Sequence, residues 1–249
     1  MRLITSLQNM TGFRWSVACA VVTLMLTGMA QATEPTAEEI WTDKIKDMSA
    51  QLNIQETDRA ELKKIGGSFA TTYSGRRMEM YYQFPNKARF EGKISGFSGK
   101  MIYNGDKKSF NVIGISKTLD TRGQPGQKQS LLDLGIFSRD WLLTDWEAKY
   151  QKAEGNLRVF KLVQRDSTNG SHEIVWVNPK TSIIEKRISY NGDNVFQKEI
   201  HNINVKQIKP GIWIPTRIEI YNREGKMGVA QSIDNIKINE GVDGRLFEI

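Results

Sequence analysis

The run Met78-Glu79-Met80-Tyr81-Tyr82-Gln83-Phe84-Pro85-Asn86-Lys87-Ala88-Arg89-Phe90 decides the fold class. Met78, Met80, Tyr82 and Phe84 alternate with Glu79, Tyr81 and Gln83. Period two is the signature of a strand that buries one face. Pro85-Asn86 then turns the chain, and Ala88, Phe90 and Ile94 continue as a second strand.

Outward from this pair the same texture repeats. Strands are predicted at Gly99–Tyr103, Ser109–Ile115, Ala148–Lys152, Leu157–Arg165, His172–Val177, Ile183–Tyr190, Val195–Val205, Trp213–Asn222 and Met227–Ile238. Turn signals such as Asn104-Gly105, Glu154-Gly155-Asn156, Asn178-Pro179 and Lys209-Pro210-Gly211 separate them. Regular strands joined by tight turns imply one large antiparallel sheet that curls as it grows and covers a core on one side.

Two segments break the pattern. Glu34 to Asn53 places Ala37, Ile40, Trp41, Ile45, Met48 and Leu52 near helical spacing behind an acidic first turn, so a helix is expected there, with period two beginning at Gly67. Thr118 to Lys128 reads as a polar Gly/Pro-bearing loop. The apolar stretch Ser130–Trp146 follows, and Gly135 divides it into two short helices. Such an apolar excursion belongs over the sheet, either closing the mouth of a curved sheet with the N-terminal helix or filling an ordinary core.

The first 32 residues read as a secretory signal peptide, with an uncleaved anchor as the alternative. Arg2 and Arg14 stand in a start without acids, Trp15 to Met29 is almost wholly apolar, and Ala30-Gln31-Ala32 closes the segment, so cleavage is expected before Thr33. The apolar run is shorter than the roughly 20 residues of a spanning helix. Cys19, the sole cysteine, lies near the start of that run, which argues against a lipid anchor. A periplasmic location follows as the expectation.

Removing this segment leaves 217 residues for a single domain, 33–249, and lowers the formal charge from +7 to +5. With no cysteine left, disulfide scaffolds and zinc–thiolate sites are excluded. The basic residues are interspersed with acids, so no nucleic-acid partner is expected. His172 and His201 lie on different strands without zinc-binding spacing and read as surface or edge positions; no metal and no cofactor is expected. No paired carboxylates, nucleophile elbow or phosphate loop is present, and no catalytic residue is assigned.

The layout and several short motifs together resemble the LolA-like superfamily. Phe84-Pro85-Asn86-Lys87-Ala88-Arg89-Phe90 is similar to that family's early strand turn, and Met101-Ile102-Tyr103-Asn104-Gly105-Asp106-Lys107 to its next hairpin. Trp176-Val177-Asn178-Pro179-Lys180-Thr181 resembles a later hairpin in which the family's glycine is Ser182 here. Ile236-Lys237-Ile238-Asn239 and Leu246-Phe247-Glu248 look like the closing strand and tail of outer-membrane lipoprotein-sorting proteins. The resemblance covers roughly residues 35–249.

It implies a mostly β (α+β) fold: an unclosed, curved antiparallel β-barrel with N-terminal and mid-chain helices as a lid over an apolar cavity. It also implies a non-catalytic periplasmic carrier of a lipid, acyl chain or lipoprotein that exchanges its ligand with an inner- or outer-membrane transport or receptor protein. Burying an acyl chain recovers about 0.8 kcal/mol per methylene, so a soluble carrier needs an apolar pocket that can also open. The candidate pocket wall is Met78, Met80, Tyr82, Phe84 and Phe90, with Phe137, Trp141 and Leu142 as lid contacts. Methionine suits a cavity that takes chains of varied shape. Each of these residues also has the plain reading of core packing. Arg89 matches the family's lid-latch arginine, yet it is out of phase with Ala88 and Phe90, which points it to solvent instead. Two other functions stand beside the carrier: an envelope sensor or adaptor that binds a protein partner, and a secreted lipid or glycan hydrolase.

Overall fold

Strict alternation dominates the chain, and the structure follows it. In this computed structural model residues 35–94, 96–112, 114–122, 134–136, 139–165 and 170–249 are described. The expected signal peptide and the lid candidate Phe137 lie outside them.

A 3-10 turn at Ala37–Ile40 leads into β1 (Asp47–Thr57). Two short helices follow, α1 (Arg59–Ile65) and α2 (Gly67–Thr72). A meander then runs through β2 (Arg77–Gln83), β3 (Lys87–Ile94), β4 (Phe97–Asn104), β5 (Lys107–Val112) and β6 (Ile115–Asp120). After α3 (Arg139–Thr144) a second meander comprises β7 (Trp146–Glu154), β8 (Leu157–Gln164), β9 (His172–Asn178), β10 (Ile183–Tyr190), β11 (Phe196–Lys209), β12 (Ile212–Asn222) and β13 (Met227–Ile238). All form one 13-stranded sheet in the order β6-β5-β4-β3-β2-β1-β13-β12-β11-β10-β9-β8-β7. Every pairing is antiparallel, and β1 with β13 joins the two meanders.

This is the expected curved, unclosed antiparallel architecture. The edges are β6 and β7, strands adjacent in sequence and farthest apart in the sheet, so the connection between them must cross from one edge to the other. On its way Gly135 accepts the amide of Ile184 at 2.9 Å, and Leu134 and Ile136 enter the main core.

Several sequence expectations need correction, among them the strand Ser109–Ile115, which crosses the turn between β5 and β6. The N-terminal helix over Glu34–Asn53 is instead a single 3-10 turn followed by β1. Met48, Ala50, Leu52 and Ile54 alternate with Ser49, Gln51 and Asn53, and pairing to β2 and β13 holds them extended. The period-two texture begins at Arg77, because Gly67–Thr72 is α2. Thr118–Asp120 belongs to β6, paired to β5, rather than to a loop. The helices that cover the sheet from the N-terminal part are therefore α1 and α2. Asp58 starts α1, its carboxylate accepting the amides of Ala60 at 2.9 Å and Glu61 at 3.2 Å, and the acid–x–x–Glu spacing is that of a capping box.

Candidate functional site

The inner face of the sheet is assembled from alternate positions of neighbouring strands. Met80 on β2 stands opposite Phe90 on β3, and Phe90 opposite Met101 on β4; Tyr82, Ala88 and Tyr103 form the next row. Because paired residues project to the same side, these rows make one apolar wall. Met78, Met80 and Tyr82 are buried in the main core cluster, with Phe84 and Phe90 half-buried against it. Phe90 meets Tyr103 edge-on with ring centroids 6.4 Å apart. Tyr82 donates its hydroxyl to the carbonyl of Pro85 at 3.1 Å, which ties the wall to the β2–β3 turn. At its outer margin Lys108 lies over the rings of Tyr103 and Phe110, and burial pushes its ammonium below the ordinary lysine range.

The same core cluster continues through Met48, Ala50 and Leu52, and through Ile218, Ile220, Val229 and Ile233 on the other half of the sheet. Leu62 from α1 and Ala70 from α2 are buried in it, and Phe69 and Tyr73 pack against it. Short helices thus fill the inner face that a second sheet would cover in a sandwich. Towards β7 a separate cluster joins Leu142, Trp146, Phe160, Leu162, Val175, Val177 and Ile184, under Ile40 and Trp41 of the N-terminal segment. Leu142 therefore packs away from the methionine wall. Of Trp141 the described structure gives only its place in α3.

Polar groups interrupt this face in two places. Arg187 grips Glu173 through Nε–Oε2 at 3.0 Å and Nη2–Oε1 at 3.1 Å, and Ser189 donates to the same carboxylate at 2.7 Å. Asn202 and Gln231 flank Ile218 in one cross-strand row. Both are buried, and Asn202 Oδ1 and Gln231 Oε1 meet no donor among the described residues. Asn202 donates its amide to the Ile184 carbonyl at 2.8 Å, beside Gly135. A side chain at Gly135, already at φ +70°, would stand 2.7 Å from that same carbonyl, so the crossing backbone lies directly on the sheet here.

Arg89 projects from the opposite face of β3. It donates to the Leu246 carbonyl of the C-terminal tail at 3.1 Å and pairs with Glu91. Asn104 donates to the next carbonyl along the tail, that of Phe247, at 3.1 Å. Phe247 is fully buried, and the 3-10 turn Gly244–Phe247 packs on β3 and β4. His172 differs from its expected exposure: it is buried and stacks on Tyr190 at 4.9 Å. The helices α1 and α2, the ion pair and the Asn202–Gln231 row are the inner-face features that the sequence reading missed. Of these only the Asp58 cap had a visible signal.

No family model and no curated protein matches the chain by sequence. Solved structures do match. A LolA superfamily protein from Nitrosomonas europaea aligns at a TM-score of 0.57 and 14% identity, covering 86% of this chain and 94% of its own. An outer membrane lipoprotein-sorting protein domain from Vibrio parahaemolyticus aligns at 0.56 and 12% identity, covering 85% and 92%. The chain has the LolA-like fold.

Proposed function

We propose, from the LolA-like fold of this chain, that it is a periplasmic, non-catalytic carrier for a lipid, an acylated protein or another hydrophobic ligand, exported by cleavage after Ala32. The observation that carries this reading is the cover of the inner face: a curved, unclosed sheet carries Met78, Met80, Tyr82, Phe84 and Phe90 on that face, and the short helix α1 packs on β12 and β13, with Leu62 of α1 and Ala70 of α2 in the same core cluster. Short helices can shift on a sheet at lower cost than a second hydrogen-bonded layer, so an apolar ligand could enter between helix and wall. The methionines would adapt to chains of different shape. Among the described residues no helix is long and apolar enough to cross a membrane.

One observation favours an envelope sensor or adaptor instead: Met80 and Tyr82 are already sealed by protein side chains. Native mass spectrometry of the protein purified from a bacterial envelope, followed by denaturing lipid extraction, separates the two. A stoichiometric lipid or acylated peptide is the carrier outcome. An empty protein that also takes up no fluorescent fatty acid ends the carrier reading and leaves the adaptor.

A further inference from the structure

We propose that one rim of the sheet, built by the β3–β4 and β5–β6 hairpin tips, docks on an anionic lipid surface. The two tips are neighbours by register. Ile94 pairs with Phe97 across the first turn, Val112 with Ile115 across the second, and Gly99 with Val112 between them. Hairpin tips ordinarily carry Gly, Asn or Asp, which water solvates well. Here the turns keep Gly96 and Gly114, both at positive φ, but the residue that follows each is a large hydrophobic: Phe97, 53% exposed, and Ile115, 74% exposed.

Strand alternation extends the pattern. In an antiparallel sheet the start of every even strand from β2 to β6 lies at the same end as the end of β1, and the start of β7, β11 and β13 lies there too. Leu143, just before β7, and Val195, just before β11, are likewise exposed. Four of the five large exposed hydrophobics among the described residues thus sit at one end of the sheet, the fifth being Ile249.

Charge at the tips selects the partner. Lys93 precedes the first tip and Lys117 follows the second; both are exposed. Arg76 is exposed in the turn before β2, and that turn abuts the β3 end, since a Cβ on Gly75 would stand 1.9 Å from the Lys93 carbonyl. None of the three forms an ion pair among the described residues. The nearest acids, Glu79 and Glu91, lie farther down the strands and are engaged by Arg77 and Arg89. The other exposed acids at this end of the sheet stand away from the two tips: Glu56 and Asp58 at the end of β1, Glu224 in the β12–β13 turn and Asp193 beside Val195, with Glu56 and Glu224 paired to Arg217 and Lys64. An aromatic and an aliphatic side chain at headgroup depth, ringed by unpaired cations, match the interfacial layer of an anionic bilayer. Each basic residue near such a surface strengthens binding about fivefold. This inference does not depend on a ligand occupying the inner face.

Sedimentation of the exported protein, with loss of residues 1–32 checked by intact mass, tests it on vesicles of phosphatidylcholine containing phosphatidylglycerol and on pure phosphatidylcholine. Binding to the anionic vesicles that weakens with salt is expected. Phe97→Ser with Ile115→Ser should reduce it at least tenfold, and Arg76→Gln, Lys93→Gln and Lys117→Gln together about a hundredfold. Far-UV circular dichroism and the urea midpoint should stay those of the parent, because all five side chains face solvent. Phe97→Trp should show a blue-shifted emission with anionic vesicles only. No binding by the parent, equal binding by the tip variant, or self-association through the tips in place of vesicle binding would overturn the proposal.

Discussion

Gly228 on β13 lies directly beneath Leu62 of α1: a Cβ placed on Gly228 would stand 2.8 Å from Leu62 Cδ2. The next contact in sequence reinforces this seat, because Asp58, which caps α1, donates its amide to the Gly228 carbonyl at 2.8 Å. The helix that roofs the inner face is therefore registered to the sheet by an absent side chain. Gly228→Ala is expected to cost about 1–3 kcal/mol through overpacking, and Gly228→Val more. Urea denaturation measures it; a loss below about 0.5 kcal/mol, within the range of an ordinary surface change, would mean the helix does not hold this position.

The bidentate pair between Arg187 and Glu173 is nearly sealed, with side chains 8% and 13% exposed. Breaking it from either side leaves a buried charge alone. Arg187→Met or Glu173→Leu should each cost about 3–5 kcal/mol, and the double variant well under the sum. Additive single losses in a double-mutant cycle would show that the two residues do not act as a pair.

On the outer face Tyr221 donates to Glu219 at 2.7 Å, and Arg217 reaches the same carboxylate at 2.7 Å. The Tyr221 hydrogen bond, opposed by burial and aided by Arg217, holds Glu219 below the ordinary carboxylate range, and the same bond pushes Tyr221 up to about 12. A depressed carboxylate contributes stability above its unfolded pKa, and that contribution is lost as pH falls through the folded value. Tyr221→Phe should therefore cost about 1 kcal/mol at neutral pH, discounted for partial exposure, and progressively less below pH ~4.5. Thermal melts of both proteins across that window test the sign: a deficit that grows on acidification contradicts it.

The C-terminal tail is held by Arg89 and Asn104, and it buries Phe247 completely. Its cover explains why Ile102, on the face opposite Tyr103, is also buried. Phe247→Ala is expected to cost about 3–5 kcal/mol. Hydrogen exchange should then show β3 and β4 losing protection first; unchanged protection would place the tail outside the cooperative unit.

Much of the sheet was legible because its signal is local. Ile183–Tyr190 and Met227–Ile238 were predicted with the bounds observed, since alternation and flanking turns are written in the residues themselves. The first strand was misread for a definable reason. Ile45, Met48 and Leu52 satisfy i, i+3, i+7 spacing, and the competing alternation of Met48, Ala50, Leu52 and Ile54 gains its weight only from the partners β2 and β13. The helices α1 and α2 were passed over because six or seven residues carry too little periodicity; they persist through burial of Leu62 and Ala70, not through propensity.

By itself the sequence determined the phase of strands such as β2, β10 and β13 and the character of the wall around Met80, because period-two patterning is a property of adjacent residues; it did not identify β1 or β6. It also determined that Arg89 and Phe90 point to opposite faces. Only the tertiary structure decided that Arg89 meets the tail at Leu246, that Arg187 meets Glu173 from a neighbouring strand, and that Phe97 and Ile115 share a rim. Those relationships depend on register between segments, which is settled by burial summed over the whole sheet and is written in no single stretch of the chain.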